Sequence, residues 1–328
     1  MAEKFVQNGE ISLWTEDFGD ASNPTVLLMN GFGSSGVMWP VTLCKYLAAN
    51  GHHVIRYDQR DTGLSGAIDY KKHPYRLIDL AVDATHVLDA YGVNNAHIVG
   101  TSMGGCVSQL MALRFPERVK TLILLSSTFN FVGLVLAVFM DKTDWLPLPG
   151  PNTSAVRHVK ALNSTDPKNH DLWLRKYVRL MKISSGNKAH FDPLEWKGVM
   201  ETVSRHVNHD GDLSVSHNHM FALRKGPFYV HSENIHCPIL IIHGSRDPYI
   251  PLKHARVFAH KAPNAKRVVI YGMGHLLAKE FEKDVSTALL NFLRDSSGET
   301  NKPMVHERIA TDVCNFWHDL FSVFWHKA

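Results

Sequence analysis

One short motif, Gly-Thr-Ser-Met-Gly at residues 100–104, constrains the fold more than any other part of this chain. The apolar residues before it, 96–99, predict a short buried strand, and residues 106–115 after it have apolar positions at helical spacing. A serine at the apex of such a strand–turn–helix connection has a strained backbone that exposes its hydroxyl group. Side chains at Gly100 and Gly104 would collide across so tight a turn. The motif therefore predicts that Ser102 is a nucleophile at the end of a strand.

Strands and helices alternate along the rest of the chain. The patterns predict strands at 11–16, 25–29, 53–57, 122–125, 238–242 and 267–270, and helices at 39–50, 77–91 and 285–294. This alternation predicts an α/β fold with a mostly parallel central sheet flanked by helices. Ligands of such sheets bind beyond the carboxyl ends of the strands. We therefore expect the glycine-rich loop at 30–36 and Ser102 to lie on one face.

The pattern changes between residues 129 and 225, where prolines, tryptophans and amphipathic helices such as 172–183 replace the strands. We expect a core formed by 1–128 and 226–296, with 129–225 as an inserted helical cap. In the tail, 297–328, apolar and aromatic side chains recur every three or four residues, which predicts an amphipathic helix. Packing against its own domain is the favoured interpretation of this helix, and contact with a partner protein or a membrane surface is the alternative.

Composition excludes several classes of protein. The chain of 328 residues is 45% hydrophobic and 20% charged, which is ordinary for a soluble enzyme. Its net charge of +4 comes without a dense basic run, so we expect no nucleic-acid partner.

The first residues lack the apolar run of a signal peptide, and polar residues at 126–130 interrupt the apolar stretch 121–140, which argues against a membrane span. The four cysteines form no Cys-x-x-Cys pair, as in a cytoplasmic protein with reduced thiols. A monomer or a small homo-oligomer is expected.

Two later loops supply the partners that a serine nucleophile needs. Asp247 lies just past the strand at 238–242, and His275 follows the next strand in the tight sequence Gly-Met-Gly-His. The order serine, aspartate, histidine is the one expected when the three follow successive strands of such a sheet. His275 would act as the general base and Asp247 would orient the imidazole. The backbone N–H groups of Phe32 and Met103 would hold the oxyanion.

A family resemblance rests on these motifs together with residues 13–20, 53–63, 148–151 and 184–192. Over roughly residues 1–295 the chain resembles the α/β-hydrolase superfamily and, within it, the aclacinomycin methylesterase family of bacterial hydrolases. The resemblance implies an α/β-hydrolase fold and hydrolysis of a carboxylic ester, with a methyl ester on an anthracycline polyketide as the family's named substrate. It implies no cofactor and no metal ion. The loop begins Asn30-Gly31 here, where the family often has His-Gly, and the cap is the least similar region.

Several other polar residues have competing interpretations. Asp58, Arg60 and Asp61 are interpreted as a buried ion pair that supports the glycine-rich loop. The cluster of His206, His209, Asp210, His217 and His219 matches no metal-site spacing, so we interpret it as solvated or as lining the substrate pocket. An apolar small-molecule ester is the expected partner. The candidate substrate-binding residues are Gly31, Trp39, Phe129, Trp145 and His219.

Other activities remain open at this point. A lactonase, a thioesterase or a carbon–carbon bond hydrolase would use the same Ser-His-Asp arrangement. Epoxide hydrolases and haloalkane dehalogenases share the fold but need an aspartate in place of Ser102. A non-catalytic ligand-binding homologue would usually lack one of the three side chains, and all three are present.

Overall fold

A computed structural model describes residues 2–131, 148–163, 170–186, 191–208, 216–226, 229–262 and 264–297. Several residues of the sequence predictions lie outside the described residues, namely Trp145, His209, Asp210 and nearly all of the amphipathic tail at 297–328. Within those ranges, no helix combines the length and the apolar character that crossing a bilayer would require.

Eight strands form one sheet in the order β1-β2-β4-β3-β5-β6-β7-β8. Their bounds are β1 Ala2–Asn8, β2 Ile11–Phe18, β3 Thr25–Met29, β4 His53–Tyr57, β5 Ala96–Thr101, β6 Val119–Leu125, β7 Ile239–Gly244 and β8 Ala265–Ile270. β1 and β2 pair antiparallel, as do β2 and β4, and every neighbouring pair from β4 to β8 is parallel. The mostly parallel sheet is confirmed. The edge strand β1 was not predicted, because only Val6 of its seven residues is buried and no apolar periodicity marks it.

The described helices are α1 Val41–Ala49, α2 Leu77–Ala90, α3 Met103–Arg114, α4 Thr153–Asn163, α5 His170–Ser185, α6 Pro193–Arg205, α7 Asn218–Arg224, α8 Lys253–Lys261 and α9 Lys279–Ser297. Alternate strand residues point to opposite faces of the sheet. In β3, Leu27 and Met29 pack with residues of α2 and α3, whereas Val26 and Leu28 pack with residues of α1 and α9. Helices therefore cover both faces, which explains why the central strands are continuously apolar.

Helices α4 to α7 lie between β6 and β7, and we call residues 148–226 the cap. Trp173, Met181, Trp196 and Met200 are buried where α5 and α6 pack against each other, and they contact Ala278 of the core. A helical insertion at this point agrees with the sequence analysis, whereas the exact domain boundaries stay a prediction.

The polar residues after β4 form a different network from the one predicted. Arg60 makes a buried ion pair with Asp83 of α2, at 2.6 Å. Asp58 is also buried but takes no part in this pair. Its Oδ1 accepts hydrogen bonds from the hydroxyl of Ser35 and the N–H of Gly36, both at 2.6 Å. Of Asp58 and Arg60, it is therefore Asp58 that contacts the glycine-rich loop.

Candidate active site

Ser102 occupies the turn between β5 and α3 with φ 51° and ψ −119°. Residues other than glycine rarely adopt a backbone conformation with positive φ. The tight turn depends on its glycines. A Cβ atom at Gly100 would lie 2.3 Å from the hydroxyl of Ser108, and one at Gly104 would lie 2.3 Å from the carbonyl oxygen of Asn30. The predicted collision is confirmed, and the turn leaves Ser102 at the carboxyl end of β5.

Ser102, His275 and Asp247 follow three different strands, yet their side chains are linked by hydrogen bonds, with His275 in the middle. His275 Nε2 lies 2.9 Å from Ser102 Oγ, and His275 Nδ1 lies 2.8 Å from Asp247 Oδ2. A carboxylate only accepts hydrogen bonds, so Nδ1 carries the proton. The lone pair of Nε2 is therefore directed at the Ser102 hydroxyl, which donates to it. This arrangement can remove a proton from the serine.

Asp247 is held rigidly behind the histidine. Its Oδ1 accepts the backbone N–H groups of Tyr249 and Ile250, each at 2.9 Å. Burial acts to raise the pKa of this carboxyl, but the charge and hydrogen bond of His275 outweigh it and the pKa falls below its usual value. Asp247 therefore stays ionised at neutral pH. Nearby His243, whose pKa is lowered by burial, donates Nε2–H to the carbonyl of Ile250 at 2.7 Å.

The loop that presents His275 is also held by the cap. The N–H of Gly274 donates to the carbonyl of Ser185 at 2.9 Å, and the N–H of His275 donates to the carbonyl of Ser184 at 2.6 Å. A Cβ atom at Gly274 would lie 2.1 Å from the Ser184 oxygen. The glycine is thus required by the approach of α5. The sequence analysis predicted the tight loop but missed this contact, because nothing local indicates which element packs on Gly274.

The two predicted oxyanion donors flank the serine. Phe32 and Met103 line the same cavity as Ser102. Met103 is the first residue of α3, where backbone N–H groups have no acceptor within the helix. A Cβ atom at Gly31 would lie 3.1 Å from the Cβ of Ser102, so the loop after β3 approaches the serine closely. The arrangement can place two donors beside a developing negative charge.

The glycine-rich loop is braced from two sides. The Asn30 side chain donates to the carbonyl of Ser35, which closes the loop on itself. His219, in α7, accepts the N–H of Gly33 at 3.1 Å through Nδ1 and donates Nε2–H to the carbonyl of Arg60 at 2.9 Å. Burial lowers the pKa of His219 to about 4, so the ring is neutral. The structure does not place His219 in the substrate cavity, because the ring is fully buried between the loop and the cap.

A cavity of about 220 Å³ lies over Ser102 and His275. Of the predicted substrate contacts, Gly31 and Trp39 line it. Phe129 does not, because it packs against Phe258 and Tyr229 in the core. The structure adds cavity-lining residues that the sequence analysis missed, namely Tyr177, Leu180, Met181, Leu223 and Tyr249. Four of these belong to the cap, and no sequence signal relates them to Ser102.

Of the remaining members of the predicted histidine cluster, His206 and His217 lie in the described residues, and His209 and Asp210 do not. In the described ranges, no three His, Cys, Asp or Glu side chains are grouped as a metal ion would need. His206 contacts Asp58 at 2.8 Å. Cys44, Cys106 and Cys237 are free thiols, and burial raises their pKa values to about 12, 12 and 11. Such thiols are poor nucleophiles at neutral pH.

Comparison with known proteins agrees with this geometry. The sequence profile of a family described as alpha/beta hydrolase fold matches residues 24–281. The chain is 32% identical over 292 residues to the rhodomycin D methylesterase DnrP of Streptomyces peucetius, covering 88% of this chain and 97% of that protein. It is 32% identical over 294 residues to the rhodomycin D methylesterase DauP of Streptomyces sp. (strain C5), with the same two coverages. Among solved structures, the meta-cleavage product hydrolase of Pseudomonas fluorescens IP01 superposes with a TM-score of 0.70 at 18% identity, covering 89% of this chain and 98% of that one.

Proposed function

Since this chain belongs to the alpha/beta hydrolase fold family, we propose that it is a serine esterase in which Ser102, His275 and Asp247 hydrolyse a carboxylic ester. One observation carries the proposal: His275 bridges the other two side chains, 2.9 Å from Ser102 Oγ and 2.8 Å from Asp247 Oδ2. The relatives named methylesterases support an ester as the substrate.

In the first step, Ser102 Oγ attacks the ester carbonyl carbon while His275 Nε2 takes the hydroxyl proton. Asp247 keeps the proton of Nδ1 in place and stabilises the imidazolium that forms. The carbonyl oxygen becomes an oxyanion, which the N–H groups of Phe32 and Met103 stabilise. His275 then returns the proton to the departing alkoxide, and the alcohol leaves an acyl group on Ser102.

In the second step, water enters beside His275, which removes a proton from it as it attacks the acyl carbon. The tetrahedral intermediate uses the same two backbone donors. Ser102 departs and recovers its proton from His275. The products are the free acid and the original enzyme.

We infer that the acid portion of the ester is apolar and bulky and that the leaving alcohol is small. The cavity is lined by aromatic and aliphatic side chains of both core and cap, including Trp39, Tyr177 and Leu180. The lining also includes hydroxyl groups able to fix an orientation, among them those of Ser184 and Tyr249, which lie 3.1 Å apart. The two relatives are named methylesterases, and a methyl ester has a small leaving alcohol.

The test is hydrolysis of p-nitrophenyl esters from acetate to laurate, together with methyl esters of aromatic acids, a lactone and a thioester of matched size. Wild type is compared with Ser102→Ala, and Ser22→Ala, an exposed serine, is the matched control. We expect ester turnover in wild type and in the control, and a loss of at least about a thousandfold in Ser102→Ala.

Labelling with a fluorophosphonate separates the remaining outcomes. Labelled Ser102 with turnover confined to the methyl esters supports the proposal and defines the alcohol. Preference for the lactone or the thioester corrects the substrate class. Full activity of Ser102→Ala, or neither labelling nor turnover of any ester, would overturn the proposal.

A further inference from the structure

A second Asp–His pair, Asp58 and His206, lies outside the hydrogen-bonded residues at Ser102. His206 is the C-cap residue that follows α6 in the cap, and its Nε2 lies 2.8 Å from Oδ2 of Asp58 in the core. The His206 ring also packs edge-on against Trp14, with ring centroids 4.3 Å apart. Two contacts therefore fix the orientation of this imidazole, and the proposed hydrolysis uses neither residue.

Asp58 is a preformed acceptor for the histidine. Its side chain has no exposed surface, and it accepts the Leu64 N–H at 2.8 Å in addition to the two donors from the glycine-rich loop. A Cβ atom at Gly63 would lie 2.0 Å from Asp58 Oδ2, so the backbone closes directly over the carboxylate. These neighbours hold the carboxylate in place whether or not His206 is present.

The two ring nitrogens of His206 differ in their hydrogen bonding. Because the Asp58 carboxylate only accepts, Nε2 of His206 carries a proton. Among the described residues, the side-chain hydrogen bond of His206 is the one from Nε2 to Asp58, and it leaves Nδ1 available. A neutral ring would accept a hydrogen bond at Nδ1, and a protonated ring would donate one. A hydroxyl group is able to pair with Nδ1 in both cases.

His206 lines a small side lobe next to the main cavity. The lobe has a volume of about 60 Å³, and Gly33, Met38, Tyr177 and Leu276 line both it and the cavity over Ser102. Since about 10–15 Å³ is enough for one water-sized group, this volume can hold more than one such group. The lobe therefore has room for a small polar substituent.

We propose that this lobe recognises a hydroxyl group of the ester substrate through Nδ1 of His206, which Asp58 orients. The inference rests on the proposed esterase function and adds a specificity determinant to it. His206 is a recognition residue here and takes no part in the bond-breaking steps. The substrate is thus an apolar ester with a hydroxyl group remote from the scissile bond.

The experiment compares matched esters that differ only in that hydroxyl. One series is p-nitrophenyl esters of ω-hydroxy acids with eight to twelve carbons, each paired with the ester of the unsubstituted acid of equal length. A second series places the hydroxyl on the alcohol, as butyrate esters of diols beside butyrates of simple alcohols. We expect wild type to favour the hydroxylated member in kcat/KM by about tenfold at one length, as one added hydrogen bond provides.

Two variants test whether His206 causes the preference for the hydroxylated ester. His206→Phe keeps an aromatic ring against Trp14 but removes both ring nitrogens. It should erase the preference while leaving hydrolysis of the unsubstituted ester within about threefold, because the donors from Ser35, Gly36 and Leu64 still hold Asp58. His206→Gln keeps donors and an acceptor and should restore part of the preference. His231→Phe is the matched control, because His231 is an exposed histidine that also bonds a carboxylate, Glu233.

Each outcome is decisive. No preference in either series, a preference that survives in His206→Phe, or an equal loss of activity on both members of each pair would overturn the inference. The last result would make His206 a structural link between cap and core. Hydrolysis of unsubstituted esters that depends on Ser102 would leave the proposed function intact in all three cases, whereas its absence would refute the proposed function itself.

Discussion

The backbone N–H of His275 donates a hydrogen bond to the carbonyl of Ser184, 2.6 Å away in the last turn of α5. The histidine belongs to the core, and the acceptor belongs to the cap. Any movement of α5 away from the sheet must break this hydrogen bond. The cap therefore both encloses the cavity and positions the proposed general base.

Gly274→Ala tests this contact. The new Cβ atom would lie 2.1 Å from the Ser184 oxygen and 2.5 Å from the carbonyl carbon of Ser185, so the loop and the cap must separate. We expect kcat for p-nitrophenyl butyrate to fall by at least about a hundredfold, because small displacements of a base are costly, with a smaller change in KM. Gly198→Ala, where nothing lies within 4 Å of the added methyl group, is the control. Equal kcat values in the two variants would contradict the positioning role.

Gly31→Ala tests the loop that presents the Phe32 donor. The added Cβ atom would lie 3.1 Å from Ser102 Cβ, which forces the loop or the serine to shift by a few tenths of an ångström. We expect kcat/KM to fall by about tenfold or more, because an oxyanion donor loses its alignment. Gly66→Ala, whose Cβ atom would have its nearest contact at 3.4 Å, should keep wild-type kinetics. Unchanged kcat/KM in Gly31→Ala would argue against Phe32 as a donor.

Buried neutral histidines should make folding sensitive to acid. Burial lowers the pKa of His97 from 6.5 to about 3, and the pKa of His219 to about 4. Between these values and 6.5 the unfolded chain binds more protons, so stability is complete above pH 6.5 and falls as pH decreases. Each histidine should cost about 2 kcal/mol at pH 5 relative to pH 8.

Urea unfolding of His97→Gln at both pH values checks this effect. The variant should lose about 2 kcal/mol less than wild type between pH 8 and pH 5. Its stability at pH 8 should also decrease, because the hydrogen bond between His97 and Thr121 is lost. His73→Gln, an exposed position, should behave as wild type. An unchanged pH dependence in His97→Gln would refute the assignment.

The buried carboxylate of Asp61 should make the effect of losing a hydrogen-bond donor depend on pH. It has a φ of +66°, yet it is buried and accepts hydrogen bonds from the Tyr75 hydroxyl and the Ile68 N–H, both at 2.6 Å. Burial raises the pKa of this carboxyl. Tyr75→Phe removes one donor and should reduce the free energy of unfolding by about 1–3 kcal/mol at pH 8.

The defect in Tyr75→Phe should shrink as the pH is lowered from 8 to 5, because a carboxyl with a raised pKa takes up a proton at a higher pH than an ordinary carboxyl, and protonation relieves its charge. Urea titrations at the two pH values, with the exposed Tyr46→Phe as control, provide the measurement. A defect of the same size at both pH values would mean that lost packing, and not the carboxylate, causes it.

Much of the core could be predicted because its signals are local. The strand β3 was predicted at its observed bounds, Thr25–Met29, since a continuous apolar run is typical of a strand buried on both faces. α9 extends beyond its predicted range of 285–294 to Lys279–Ser297, because its first turn contains charged residues that suit a helix N-terminus but do not extend the apolar pattern.

The sequence alone determined the central strands of a mostly parallel sheet, the tight turn at Ser102 and the order in which Ser102, Asp247 and His275 follow their strands. Parallel strands end at one edge of a sheet, so residues that follow those strands must meet there. Only the tertiary structure decided that Phe129 packs in the core, that His219 braces the glycine-rich loop, and that α5 contacts the His275 loop. These contacts join residues about ninety or more positions apart, and they depend on how the cap packs on the core. The local sequence pattern does not predict that packing. A buried aromatic residue or histidine looks the same in the sequence whether it packs in the core, supports a loop or lines a pocket.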